Sequence, residues 1–275
     1  MRKIVLALAA SACAAATASP AVGQTRPGFE LGLEAFQYGY KEFDEDDLFI
    51  REEGQMLGIH LSYVQPIAGG LFGRVTLSGA AGSVDYDPLD EPVIEDVDQS
   101  SGRVELHLGY DFMLGGGTSI TPFVGYGARL LEDESGGRET EGGRLGFDRK
   151  VTYRYIPVGL AAGIPVGGGK RLTLSGQYNH LVGGNVNNLF SRIEPDAPDV
   201  KLDFNGGHGL EASAMLSLPV GRRHAINVGP FIRQWKLDPS DTFTIVNPDD
   251  PGEAIILQEP ENRTTEAGVR VTFSF

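Results

Sequence analysis

The 275-residue chain carries 37 acidic against 23 basic residues, a formal net charge of −14, and combines 38 glycines and 16 prolines with a single cysteine. That much negative charge argues against a nucleic-acid partner held through its phosphates, and glycine and proline spread along the whole length exclude an ordinary helical bundle. Residues 1–23 read as a secretory signal peptide: Arg2 and Lys3 form the charged start, IVLALAA the apolar stretch, and small residues lead to a cut between Ala18 and Gln24. The apolar stretch is too short for a transmembrane helix. Cys13 lies in the removed segment, so the exported chain cannot be a disulfide scaffold. Ala10-Ser11-Ala12-Cys13 leaves a lipid-attachment box as a minor alternative.

From residue 24 onward, segments of two-residue apolar rhythm recur. The pattern predicts ten strands, at about 29–40, 55–65, 71–86, 102–114, 118–131, 149–165, 171–182, 207–218, 224–237 and 263–275. RVELHLGYDF is the clearest: Val104, Leu106, Leu108, Tyr110 and Phe112 share one face against Arg103, Glu105, His107 and Asp111. The links QPIAGG, LGGGT, VGGGK and PVGRR are tight, while the alternate ones, at 41–54, 87–101, 132–148, 183–206 and 238–262, are long and hold most of the acidic residues. Short turns at one end and long loops at the other define the expected architecture. It is an all-β, single antiparallel transmembrane β-barrel of about ten strands, residues 24–275, with short periplasmic turns and long acidic extracellular loops. EFDEDD and DPLDEPVIEDVD read as solvated or cation-bound loops. A soluble exported barrel is the alternative, disfavoured by strand length and the apolar ending.

Charges that recur on the polar phase of the strands must point into the barrel, because charge facing hydrocarbon costs several kcal/mol. The expected lumen-facing residues are Arg74, Arg103, Glu105, Asp111, Arg129, Arg154, Glu211, Glu266 and Arg270, with Glu30 and Glu34. Opposed there, they form either an ion-pair filling or the lining of a narrow pore. Tyr110, Phe112, Phe123, Tyr126, Tyr153, Tyr155, Tyr178, Phe231, Trp235, Phe273 and Phe275 cluster toward segment ends, as an interfacial girdle would. Trp235 conflicts with the phase set by Ile232, which implies a bulge near Arg233.

The whole pattern resembles a Gram-negative outer-membrane β-barrel. The ending Val-Thr-Phe-Ser-Phe, with Val271, Phe273 and Phe275 on one face, is similar to the signal such proteins present to the barrel-assembly machinery. GARLLEDESGG, YRYIPVGL and PFIRQWKLDPSD resemble segments of poorly characterised small porin-like barrel-domain proteins. The resemblance implies the outer membrane as location and its lipid, including lipopolysaccharide, as surroundings; it implies no substrate.

Enzymatic readings are weaker. His60-Leu61-Ser62 resembles the His-x-Ser of lipid A deacylases but lies toward the periplasmic turn. Asp85, Asp87 and His180, at the long-loop rim, resemble part of the carboxylate and histidine set of omptin proteases, although Tyr178 stands where a further aspartate is expected. The five histidines have no metal-ligand spacing, and the acidic loops do not match the twelve-residue calcium loop. The expectation is a non-enzymatic barrel with no cofactor and no resident metal, with divalent cations as possible partners of the acidic loops.

Overall fold

The computed structural model describes residues 25–275 apart from 45, 90, 91, 140–142, 144, 145 and 247–253. The expected signal peptide, 1–23, lies outside the described residues. The strands in chain order are β1 Gly28–Asp44, β2 Asp47–Ala68, β3 Leu71–Asp87, β4 Ile94–Tyr110, β5 Phe112–Met113, β6 Ser119–Glu134, β7 Arg149–Gly167, β8 Lys170–Asn188, β9 Val200–Asp203, β10 Gly207–Val220, β11 His224–Leu237, β12 Thr242–Val246, β13 Ala254–Gln258 and β14 Glu261–Ser274. Ten of them form the wall, each antiparallel to the next in the order β1, β2, β3, β4, β6, β7, β8, β10, β11, β14, and β14 pairs back onto β1. Closure leaves no free edge in the wall. β5 extends the ladder beside β6, β9 beside β8, and β12 pairs with β13 as a separate hairpin.

The seam closes at the end of the chain. Phe29 and Phe275 exchange backbone hydrogen bonds of 3.0 and 2.9 Å, and their rings stack with centroids 6.0 Å apart. The tight turn between β7 and β8 depends on Gly168 and Gly169, at φ +60° and +73°, a left-handed backbone that only glycine adopts without strain.

The outer face of the wall is apolar in a band. Leu31 and Leu33 on β1, Leu57 and Ile59 on β2, Leu106 and Leu108 on β4, Val158 and Leu160 on β7, and Val269 and Val271 on β14 point outward and are exposed. Leu57 and Ile59 stand more than 60% open, an arrangement that water disfavours by roughly 25 cal/mol per Å² and that lipid accommodates. Tyr110, Phe112, Tyr126, Tyr178, Phe273 and Phe275 lie outside with them, as expected of a girdle. Tyr153, Tyr155, Phe231 and Trp235 do not: they are buried inside the barrel, and Phe123 shares the inward phase of β6 with Thr121 and Arg129, its ring 5.1 Å from His107. β11 pairs with both neighbours without a register shift, so no bulge exists near Arg233. Ile232 faces out and Phe231, Arg233, Trp235 and Leu237 face in, in strict alternation. Two of these rings lie against glycines: a Cβ on Gly127, directly opposite Tyr155, would meet the ring at 2.4 Å, and one on Gly209, opposite Trp235, would meet it at 2.8 Å.

The wall also rises above the apolar band. Residues 41–54, expected as a loop, are almost wholly strand: β1 runs to Asp44 and β2 begins at Asp47. Of EFDEDD, Glu42 is buried on the inner face, and IEDVD within DPLDEPVIEDVD opens β4. Composition alone made these solvated loops. Period two in fact continues to Asp44 and resumes at Ile94, and distant partners satisfy the inward Glu42 and Glu52.

Candidate functional site

The lumen has three storeys. At the periplasmic mouth, Asp111 accepts hydrogen bonds from the Thr25 backbone N (2.7 Å), Thr25 Oγ1 (2.8 Å) and Thr121 Oγ1 (2.6 Å), tying the segment before β1 across the opening. Glu30 on β1 accepts from Thr272 Oγ1 at 2.7 Å, and the Arg74 guanidinium lies over the Phe72 ring at 5.5 Å.

In the middle storey, four carboxylates, Glu34, Glu105, Glu211 and Glu266, face four guanidiniums, Arg103, Arg129, Arg233 and Arg270. Glu34 pairs with Arg233 and, at 2.7 Å, with Arg270, while His60 Nδ1 stands 3.4 Å away. Glu266 pairs with Arg129 and, at 2.9 Å, with Arg233. Arg103 reaches Glu211 at 2.6 Å, and Glu105 accepts from Tyr155 Oη and Gln177 Nε2 at 3.0 Å each. Arg233 lies 4.2 Å from the centre of the Phe231 ring, and Tyr155 meets Trp235 edge-on at 4.9 Å. The cavity among Glu34, Arg103, Arg129, Arg233 and Glu266 holds about 10 Å³, space for about one water molecule. Charges of equal number in a low dielectric offset one another and fill the section, although Arg233 Nε, Arg270 Nη2 and Glu266 Oε2 are buried without a hydrogen-bond partner.

The upper storey is unbalanced. Arg149 on β7 lies 2.6 Å from Glu42, 2.6 Å from Glu52, 3.0 Å from Asp133 and 3.8 Å from Glu259, so one guanidinium serves four carboxylates. Tyr40 Oη donates to Glu42 at 2.7 Å, and its ring lies 5.3 Å under Arg149. Gln99 stands opposite Asp133 and Asn188 opposite Arg149 in the ladder; their side-chain oxygens, and Asp133 Oδ1, are buried without a hydrogen-bond donor. This cluster is above the membrane: on β2 the apolar band ends at Leu57, and Glu52 is five residues further, roughly 16 Å along the strand. Burial first, and then the neighbouring carboxylates, push the Glu52 carboxyl up to about 8 against the pull of Arg149, and in the same way Glu259 up to about 7. Such a group holds its proton near neutral pH.

Of the residues expected in the lumen, Arg103, Glu105, Asp111, Arg129, Glu211, Glu266 and Arg270 lie there with Glu34, and Arg74 and Glu30 share that phase of their strands. Arg154 does not. It sits between the inward Tyr153 and Tyr155 and is exposed on the outer face, one rung above Ile156; a register shift between Arg154 and Tyr155 marks the place. The rim candidates are not brought together. Asp87 on β3 accepts from Arg51 at 2.6 Å, Asp85 accepts from the Asp96 backbone N at 3.2 Å, and His180 is exposed on the outer face of β8, four strands away around the wall. His60 and Ser62 are both buried inside the barrel. Among the described residues, no group of three or more His, Cys, Asp or Glu is arranged to hold a metal ion. Val271 and Phe273 face lipid beside the seam that Phe275 closes.

The sequence reading missed Arg233, Tyr40, Glu42, Glu52, Asp133 and Glu259. For Arg233 the signal was available, since it alternates with Ile232 on the phase of Phe231 and Trp235.

A model of the outer membrane protein β-barrel domain family matches residues 4–188. No curated protein sequence matches the chain. Among solved structures, the outer membrane protease OmpT of Escherichia coli superimposes with a TM-score of 0.61 at 8% identity, over 91% of this chain and 98% of that one. The translocator domain of the autotransporter NalP of Neisseria meningitidis gives 0.39 at 12% identity, covering 92% and 90%. OprG of Pseudomonas aeruginosa gives 0.34 at 9%, covering 91% and 98%. Ten antiparallel strands closed on themselves, an apolar outer band and a charged interior agree with the family match: this chain belongs to the outer membrane protein β-barrel domain family and resides in the outer membrane.

Proposed function

We propose that the protein is a closed, non-enzymatic barrel that serves the cell envelope through structure and surface interaction at its acidic outer end, and does not conduct solutes. The observation that carries this reading is the middle storey, where four carboxylates and four guanidiniums pair across the lumen around a cavity of about 10 Å³. A hydrated ion needs a continuous water path, which such a filling denies. The non-enzymatic part rests on the rim, where Asp85, Asp87 and His180 are separated around the wall. A water-activating pair needs hydrogen-bond reach. Likeness to the E. coli protease at 8% identity concerns the fold alone. Osmotic swelling of proteoliposomes in small sugars tests the proposal: swelling no faster than in protein-free liposomes is expected, and fast swelling would return the porin-like alternative.

A further inference from the structure

The outer face of the wall carries an unusual row. In the ladder, His180 on β8 stands opposite His208 on β10, His208 opposite Lys236 on β11, Lys236 opposite Arg263 on β14, Arg263 opposite Lys41 on β1, and Lys41 opposite Arg51 on β2. Six neighbouring strands therefore present Lys, Arg or His at one register, all on the outward phase. Arg154 adds a seventh beside the low end, its guanidinium lying over Gly183 of β8. Directly opposed residues of a sheet have side chains about 5 Å apart, and like charges there repel. In a chain of net charge −14 the row is not a matter of composition. On the far side of the wall, Asp85, Asp98 and Glu134 face outward at the rim, and the strand cation there, Lys150, is paired with Glu132 at 2.7 Å. Glu261 relieves part of the row, pairing with Lys236 and Arg263 at 2.8 Å each, and Asp87 pairs with Arg51 at 2.6 Å. Lys41, Arg154, His180 and His208 have no carboxylate partner among the described residues.

The row's height identifies what meets it. On β8 and β10 the outward residues one rung below are Tyr178 and Leu210, exposed members of the apolar band; on β14 and β2 three rungs separate the row from Val269 and Leu57. A row of the ladder climbs in this way because the strands are tilted. It starts at the lipid border and ends well above it. We infer that this row is a docking surface for a glycolipid of the outer leaflet that bears several phosphates, its head-group phosphates meeting Arg154, His180 and His208 and its outer anionic groups meeting Lys41 and Arg263. A phospholipid with one phosphate would reach the low end alone.

The test uses the full chain, folded in phosphatidylcholine nanodiscs that contain lipopolysaccharide with a phosphorylated core or phosphatidylglycerol, with bound lipid counted by native mass spectrometry. The wild type is expected to bind the glycolipid at least about tenfold more tightly than phosphatidylglycerol. Each basic side chain removed should weaken it about fivefold. Arg154→Gln with His208→Gln should lose affinity for both lipids, whereas Lys41→Gln with Arg263→Gln should lose affinity for the glycolipid alone. Equal binding of the two lipids, or glycolipid binding unchanged in both variants, would overturn the inference. Should a double variant fail to fold, the single Lys41→Gln and His208→Gln changes, at solvent-accessible positions, carry the same comparison.

Discussion

Arg103 of β4 reaches across the lumen to Glu211 of β10, 2.6 Å away and 108 residues distant in sequence. The pair joins two sides of the wall that share no ladder, and both side chains are largely buried. Replacing Arg103 by Ala would leave Glu211 unpaired and take from Glu105 the cation 3.8 Å away, at a cost of about 3–5 kcal/mol. A lower temperature for the loss of heat-modifiable migration in detergent is the expected readout. Replacing both partners, Arg103→Ala with Glu211→Ala, should destabilise less than the single change.

Arg149 is the keystone of the upper storey. Arg149→Met removes the cation shared by Glu42, Glu52 and Asp133 and should loosen the upper ends of β1 and β2 while the membrane-spanning part stays folded. Hydrogen exchange would show faster exchange for amides between residues 40 and 53 and unchanged exchange between 57 and 65.

The upper storey should weaken as pH rises. Glu52 and Glu259 hold their protons up to about 8 and about 7, above the 4.5 of a free glutamate. Between those values the folded state binds protons that the unfolded chain has released, so the stability is fully present below pH 4.5 and is lost as pH climbs through 7 to 8. Hydrogen exchange at the tips of β1 and β2, corrected for intrinsic rates, should therefore be slower at pH 6 than at pH 9. In Glu52→Gln with Glu259→Gln that difference should shrink.

Packing inside the wall gives a further check. Gly127→Val would drive a side chain into the Tyr155 ring, which a Cβ alone meets at 2.4 Å. Overpacking of this kind costs about 1–3 kcal/mol, and the thermal midpoint should fall accordingly, whereas Gly115→Ala, at a turn where nothing lies within 4 Å and the backbone is not left-handed, should change it less.

Phe275→Asp should lower the yield of folded, membrane-inserted protein. Phe275 stacks on Phe29 and Phe273 at the seam and faces the lipid border. Unchanged insertion of this variant would show that the aromatic ending is dispensable for assembly.

The ten strands and their tight turns were legible because period two and glycine-rich links are local. The continuation of β1 and β2 above the membrane was not. Glu42 and Glu52 look like loop residues until their partner is known, and Arg149 is 107 and 97 residues away. The middle storey was read almost completely, since a charge on a strand that crosses lipid has one affordable direction. Arg154 escaped that rule because it stands at the border of the apolar band, where an outward charge meets head groups. Trp235 was misread for the opposite reason: aromatic rings were expected outside, and this one packs between Tyr153 and Tyr155, at centroid distances of 5.2 and 4.9 Å.

The account turns on whether the middle storey is closed. Single-channel recording of the purified protein in planar bilayers measures this directly: the wild type should insert without discrete conductance steps, and Arg103→Ala with Glu211→Ala should produce them. Regular, ohmic steps from the wild-type protein would contradict the account and make the charged lumen a pore.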